Sequence, residues 1–250
     1  MRKVLLLCVV LTLGSAASAH AQWLPLDGRL FLDVSGLYQA HAQTLRQRGT
    51  FDLYQEQGNL EATTGVKEGT LWDLGFGYRT WRNLSIGVGI SEFTRSSSLT
   101  TTGQAPHPLF FDRSRAFQSE QGGVRHKSRI IYLQAIWAVQ PRFLRNLRLA
   151  VMAGPAHVRI TQGLLESGTI REVGAPFNSV DVATAVVSRT KSKIGGVGGI
   201  DVSYMITRNV GAGLLLRYVS GDVRVSGFDG QSIRVDGGGF QAGGGVRLRF

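Results

Sequence analysis

Leu84-Ser85-Ile86-Gly87-Val88-Gly89-Ile90-Ser91 alternates large apolar residues with Gly and Ser at a period of two. Successive side chains of an extended strand point to opposite faces, so this stretch has one greasy face and one face of small residues. Val210, Ala212, Leu214, Leu216 and Tyr218 repeat the pattern, alternating with Gly211, Gly213, Leu215, Arg217 and Val219. Working outward at the same period gives strands near residues 29–40, 70–81, 84–94, 128–139, 147–159, 191–206, 210–220 and 238–250. No segment after residue 21 approaches the 18 or so uninterrupted apolar residues of a spanning helix.

Alternation alone also describes soluble sandwiches and lipocalins, which turn the apolar face inward, so the connections have to discriminate. They are strongly unequal. Arg82-Asn83, Arg145-Asn146 and Arg208-Asn209 each sit between two alternating segments, 63 residues apart. Asn suits a tight turn because its side chain bonds nearby backbone and tolerates left-handed conformations, and an adjacent Arg can reach lipid headgroups. Between these turns lie long polar stretches, near residues 41–69, 95–127, 160–190 and 221–237, rich in Gly, Ser, Thr, Gln and charge. Unequal ends suggest the two sides of a membrane. With an even number of strands and three short turns, both ends of the sheet fall on the short-turn side.

The chain opens with an export signal: Arg2 and Lys3, a short apolar run from Val4 to Leu13, and small residues at Ala19-His20-Ala21. The expected division is a cleaved signal peptide at 1–21 and one domain over 22–250. Cys8 lies within the signal, so the exported part has no cysteine, which excludes disulfides, zinc-thiolate sites and a cysteine nucleophile. Edge-to-edge closure of the sheet is another way to complete such a fold. Without Arg2 and Lys3, 26 basic side chains face 17 acidic ones. An exported protein rarely meets nucleic acid, so this excess is assigned to membrane interfaces: outer-membrane lipid and the phosphates of lipopolysaccharide are the expected partners.

These readings converge on an all-β fold, an eight-stranded antiparallel up-and-down transmembrane β-barrel with short periplasmic turns and long extracellular loops, in the bacterial outer membrane. Its lipid face comprises Leu30, Leu32, Val34; Trp72, Leu74, Phe76, Tyr78; Ile131, Leu133, Trp137, Val139; Leu147, Leu149, Val151; Ile200, Val202, Tyr204; and Phe240, Ala242, Val246, Leu248, Phe250. Tyr78, Trp137, Tyr204 and Phe250 would form one aromatic girdle and Tyr38, Trp72, Tyr218 and Phe240 the other.

Val246-Arg247-Leu248-Arg249-Phe250 resembles the final strand of outer-membrane barrels, with Leu248 where many have a second aromatic. With the signal and the strand count, nearly the whole chain resembles the small OmpA, OmpX and OmpW class. That resemblance implies recognition of Val246, Leu248 and Phe250 by the barrel-assembly machinery. It fixes no activity.

An eight-stranded barrel has an interior that side chains can fill. Asp33, Arg79, Asp201, Arg217 and Arg247 fall on inward positions and are expected to form an ionic plug, with Asp33 between Arg79 and Arg247, and Asp201 facing Arg217 across a hairpin. Two carboxylates among three guanidiniums leave one positive charge seeking a further acid, a carbonyl or water. The same residues could line a narrow channel or relay protons. Inward glycines such as Gly75, Gly77, Gly195 and Gly243 could leave room for water.

Some barrels of this size modify lipid A with His, Ser and a carboxylate, and His126-Lys127-Ser128 puts an imidazole and a hydroxyl on one strand face, with Glu92 or Glu120 as orienting acid. Parity turns Ser128 inward, away from lipid, so catalysis is not expected. His41, His107 and His157 show no metal-ligand spacing, and neither a metal nor a cofactor is expected. Gly195-Gly196-Val197-Gly198-Gly199 lacks the Lys-Ser/Thr and helix of a phosphate loop. The expected role is that of a non-enzymatic barrel anchoring surface loops for membrane integrity, adhesion or small-molecule contact; a lipid A modifying enzyme and a narrow channel are the alternatives.

Overall fold

Apolar faces at period two make strands, and closure removes the edges that strands would otherwise expose. The computed structural model describes residues 29–141, 144 and 146–250, so the expected signal peptide and Arg145 lie outside the described residues. The strands are β1 (Leu30–Gln39), β2 (Gln43–Leu53), β3 (Glu56–Val66), β4 (Gly69–Arg79), β5 (Leu84–Pro106), β6 (Ser114–Val139), β7 (Leu147–Glu172), β8 (Val180–Met205), β9 (Val210–Ser220), β10 (Asp222–Ser226), β11 (Ser232–Asp236) and β12 (Gly239–Arg249). Eight of them form an antiparallel ring in the order β1-β4-β5-β6-β7-β8-β9-β12, which β12 closes against β1 from Phe31 opposite Arg249 to Gln39 opposite Gln241.

The outward face carries the expected lipid-facing set. Phe76, Leu133, Val151, Leu214 and Phe240 are each about half exposed or more, an arrangement that only a lipid surround stabilises. Tyr78, Trp81, Trp137, Tyr204 and Phe250 are exposed at the turn side, and Tyr38, Trp72, Tyr218 and Phe240 at the other, where Tyr218 and Phe240 meet edge to face with centroids 5.1 Å apart. The short turns are where the sequence puts them. Both Thr80 and Trp81 donate backbone N–H to the Leu84 carbonyl, and Ile206 and Thr207 do the same to Val210.

The four long stretches are not loops. β1, β4, β9 and β12 run 10 or 11 residues, about the length that crosses a bilayer when tilted, whereas β5 to β8 run 23 to 26. Half of the barrel wall therefore continues beyond the membrane as a β-stalk, with the β2–β3 hairpin added along β5. At about 3.3 Å per residue, β5 advances roughly 40 Å from Phe93 to Pro106. Bulges mark the stalk: β6 carries an extra residue beside Gly122 and Gly123, the latter at φ 80°, and β7 one at Glu166.

The stalk has its own core, in which Leu60, Leu99, Phe117, Val124, Leu165 and Val182 are buried. The last stretch, 221–237, folds as the β10–β11 hairpin into the mouth of the barrel, where Val223, Val225, Ile233 and Val235 join Leu45, Val158 and Ile160. Gln43 and Gln47 of β2 hold this cap: Gln43 bonds the Arg234 carbonyl and the Asp236 N–H, and Gln47 the Phe228 N–H.

At the top, Arg115 ties three tips together. It is buried, bonds Glu172 bidentately at 2.6 and 2.8 Å, and donates to the carbonyls of Pro106 and Phe177, while Tyr54 donates to Glu172 at 3.0 Å. Hydrogen bonds from Arg115 hold the Glu172 carboxyl below its usual value of 4.5, outweighing its burial. A depressed folded-state pKa stabilises the fold above the usual carboxylate range, and that stability is lost as pH falls through the lowered pKa. Acidification below pH 4.5 is thus expected to expose the tips to protease while the barrel stays folded. Glu172→Gln should give the same cleavage already at neutral pH; tips equally protected in the variant would show that the clasp contributes nothing.

Candidate functional site

The barrel bore holds two bonded charge clusters. In the first, Arg247 on β12 is 1% exposed and donates from Nε (3.0 Å) and Nη2 to Asp201 on β8, and from Nη1 to Ser35 at 2.8 Å. Asp33 on β1 accepts from Arg249 at 2.6 Å and stands 3.9 Å from Arg247. Arg249 and Arg148 cover the Phe31 ring, 4.9 and 6.0 Å from its centroid.

In the second cluster, Arg217 on β9 reaches across the bore to Asp73 on β4 at 2.7 Å and donates to Gln241 at 2.7 Å. Gln241 in turn donates to Gln39. Tyr132 on β6 gives its hydroxyl to Asp73 at 2.9 Å and its ring face to Arg217, 5.1 Å from the centroid. Small residues make the space. A Cβ at Gly213 would stand 2.8 Å from Arg247 Nε, and one at Gly199 2.6 Å from Arg217 Cβ. The inward glycines hold neighbours rather than spare room for water: the Phe31 ring lies against Gly77, and Gly243 packs on the Gly36 carbonyl.

Four of the five expected network residues therefore lie in the bore; Asp33 stands beside Arg247 as expected, while the other pairings differ. Arg79 is exposed at the turn-side end of β4, because Gly75 and not Arg79 stands opposite Asp33. Asp201 and Arg217 do not pair. Each is two residues off the other in register, Asp201 opposite Leu215 and Arg217 opposite Gly199, and each finds its partner on a strand that is not its neighbour in the ring. The missing acid is Asp73. Asp73 and Arg249 were findable, since Trp72 and Leu74 facing lipid turn Asp73 inward, and Arg249 shares its parity with Arg247. Tyr132, Gln39 and Gln241 carried no such charge signal.

His126 and Ser128 do share an inward face, yet His126 Nδ1 bonds Gln162 Oε1 at 2.6 Å with its ring edge on Phe93, and Ser128 donates to the Gly237 carbonyl. Glu92 lies on the opposite face, held by Lys127 and Arg129, and Glu120 also points outward. No carboxylate orients the imidazole among the described residues. Likewise, no group of three or more His, Cys, Asp and Glu among them is arranged to hold a metal.

A closed ring of eight antiparallel strands with a greasy outside and a charged, side-chain-filled inside defines a transmembrane β-barrel of the bacterial outer membrane. The chain is similar to solved structures. The outer membrane protein OprG from Pseudomonas aeruginosa superposes with a TM-score of 0.51 at 9% identity, over 89% of this chain and 96% of that one. The outer membrane protease OmpT from Escherichia coli gives 0.45 at 12%, over 89% and 97%, and Neisserial surface protein A 0.42 at 14%, over 88% and 97%. At such identities the likeness concerns the fold alone. No protein-family model matches the sequence, and no curated protein matches it.

Proposed function

We propose that this barrel works without catalysis, as a plugged membrane anchor whose stalk presents an apolar tip for adhesion. One observation carries the reading: at the β5–β6 tip, Leu109, Phe110 and Phe111 are 66%, 52% and 76% exposed, roughly 40 Å along the strand from the membrane belt. Solvent-exposed aromatics at that distance cannot be serving the barrel's own bilayer, and such apolar patches mark contact sites. The tip is also held in place. Arg113 lies over the Phe110 ring at 5.3 Å, the His107 ring packs against it at a tilt with centroids 4.9 Å apart, and the Asp112 N–H is bonded to Glu56 of β3.

Of the three roles expected for the surface segments, adhesion is the one this tip supports. Cross-bore ion pairs weigh against conduction, and the prior engagement of His126 and Ser128 weighs against lipid A hydrolysis. Val246 and Leu248 on β12 and Phe250 directly after it lie on the lipid side, where the assembly machinery implied by the resemblance could grip them during insertion.

Burying one aromatic side chain is worth about 1.5–3 kcal/mol, more than tenfold in affinity. Cells displaying Phe110→Ser with Phe111→Ser are expected to adhere at least tenfold less to hydrophobic surfaces and to target cells than wild type at equal surface level. Undiminished adhesion would refute the role of the tip.

A further inference from the structure

Just above the lipid belt on the stalk side, the outward face of β6 and β7 carries a cluster of cations that is only partly neutralised. Arg125, Lys127 and Arg129 follow one another at period two on β6, and the next outward residues are Ile131 and Leu133, both about half exposed to lipid. Arg159 on β7 stands directly opposite Arg129, and Thr161 opposite Lys127. Like charges placed opposite each other across an antiparallel pair are destabilising unless something negative lies between them.

The protein supplies part of that negative charge. Glu92 on β5 accepts from Arg129 at 2.8 and 2.9 Å and from Lys127 at 2.9 Å, fixing both cations on the barrel wall. It does not reach Arg159, which pairs with no carboxylate among the described residues. Four cations thus share one anion, and Lys127, Arg129, Arg159 and Thr161 line a shallow depression of about 240 Å³.

We propose that this depression binds a phosphate of the phosphorylated glycolipid in the outer leaflet, with Arg129 and Arg159 as the two arms and Lys127 and Thr161 beside them. The height selects the ligand. One outward step separates Arg129 from the apolar belt, so an anion bridging the arginines would sit at headgroup level with its acyl chains alongside Ile131 and Leu133. A guanidinium fork matches phosphate geometry, and opposing forks hold it from two sides. This inference rests on the barrel's place in the membrane and not on the role of the tip.

The test uses the purified full-length barrel in phosphatidylcholine nanodiscs doped either with bis-phosphorylated lipid A or with its dephosphorylated form. Retained glycolipid is measured by mass spectrometry. Wild type is expected to prefer the phosphorylated form. Each cation near an anionic surface contributes about fivefold, so Arg129→Gln with Arg159→Gln should cut that preference by about 25-fold. Arg159→Gln alone breaks no ion pair among the described residues, so it keeps the test open if the double variant folds poorly, and it should cost about fivefold. Arg189→Gln with Lys191→Gln, on the other face of β8, should change nothing. An unaltered preference in the patch variants overturns the proposal. So does complete displacement of lipid A by millimolar inorganic phosphate, which would point to a site for the free ion.

Discussion

Asp73→Ala is expected to destabilise the barrel by about 3–5 kcal/mol, the usual cost of breaking a buried ion pair from one side. Arg217 and Asp73 have side chains 1% and 4% exposed, so the guanidinium left behind cannot recover its lost partner from solvent. Gln241 and the Tyr132 ring would remain, but both are neutral, and the Tyr132 hydroxyl would lose its acceptor as well. Arg217→Met with Asp73→Ala should recover part of the loss, because removing both charges removes the desolvation penalty together with the pair. Urea unfolding followed by the gel shift between folded and boiled protein measures each corner of the cycle. A single-variant loss under about 1 kcal/mol, or simple additivity, would show that the cross-bore pair is not formed.

The second large effect is expected at Asp201, and its comparison with Asp33 is the sharper test. Asp201→Ala leaves Arg247, whose side chain is 1% exposed, with a serine hydroxyl and a carboxylate 3.9 Å away, so about 3–5 kcal/mol should again be lost. Asp33 differs because its side chain is 24% exposed and its main partner Arg249 is 12% exposed. Water can replace the carboxylate there, and Asp33→Ala should cost nearer the 1.5–3 kcal/mol of a hydrogen bond to a charged group. The sequence alone wedges Asp33 between Arg79 and Arg247, whereas its main partner in the ring is Arg249. A larger loss at Asp33 than at Asp201 would mean that the pairing described for the bore is wrong.

Much of this molecule could be read without coordinates. Alternation at Leu84–Ser91 and Val210–Val219 decides which side chains face lipid, because a strand offers only two faces and a slip of one residue would exchange them. Every residue assigned to the lipid face lies on that side of the ring. The turns at Asn83 and Asn209 were equally legible, since tight turns are local chemistry: the Trp81 N–H bonds the Leu84 carbonyl, and the Thr207 hydroxyl accepts from the N–H groups of Asn209 and Val210. The same parity put Asp33, Asp201, Arg217 and Arg247 in the bore.

Which acid meets which base was decided only by the tertiary structure. Closure tilts and staggers the strands, so that Arg217 meets Asp73 rather than Asp201, and that stagger is a property of the whole ring that no pair of neighbouring strands encodes. The stalk was hidden for a related reason. Leu99, Thr101, Gly103 and Ala105 alternate inward as a strand should, but Thr, Gly and Ala carry little hydrophobic signal, and they become a buried face only because β2–β3 and β7–β8 close over them. Sequence determined the faces of each strand because side-chain direction is local; it could not determine partners across the bore or above the membrane, because those depend on how far every strand has slid past the next.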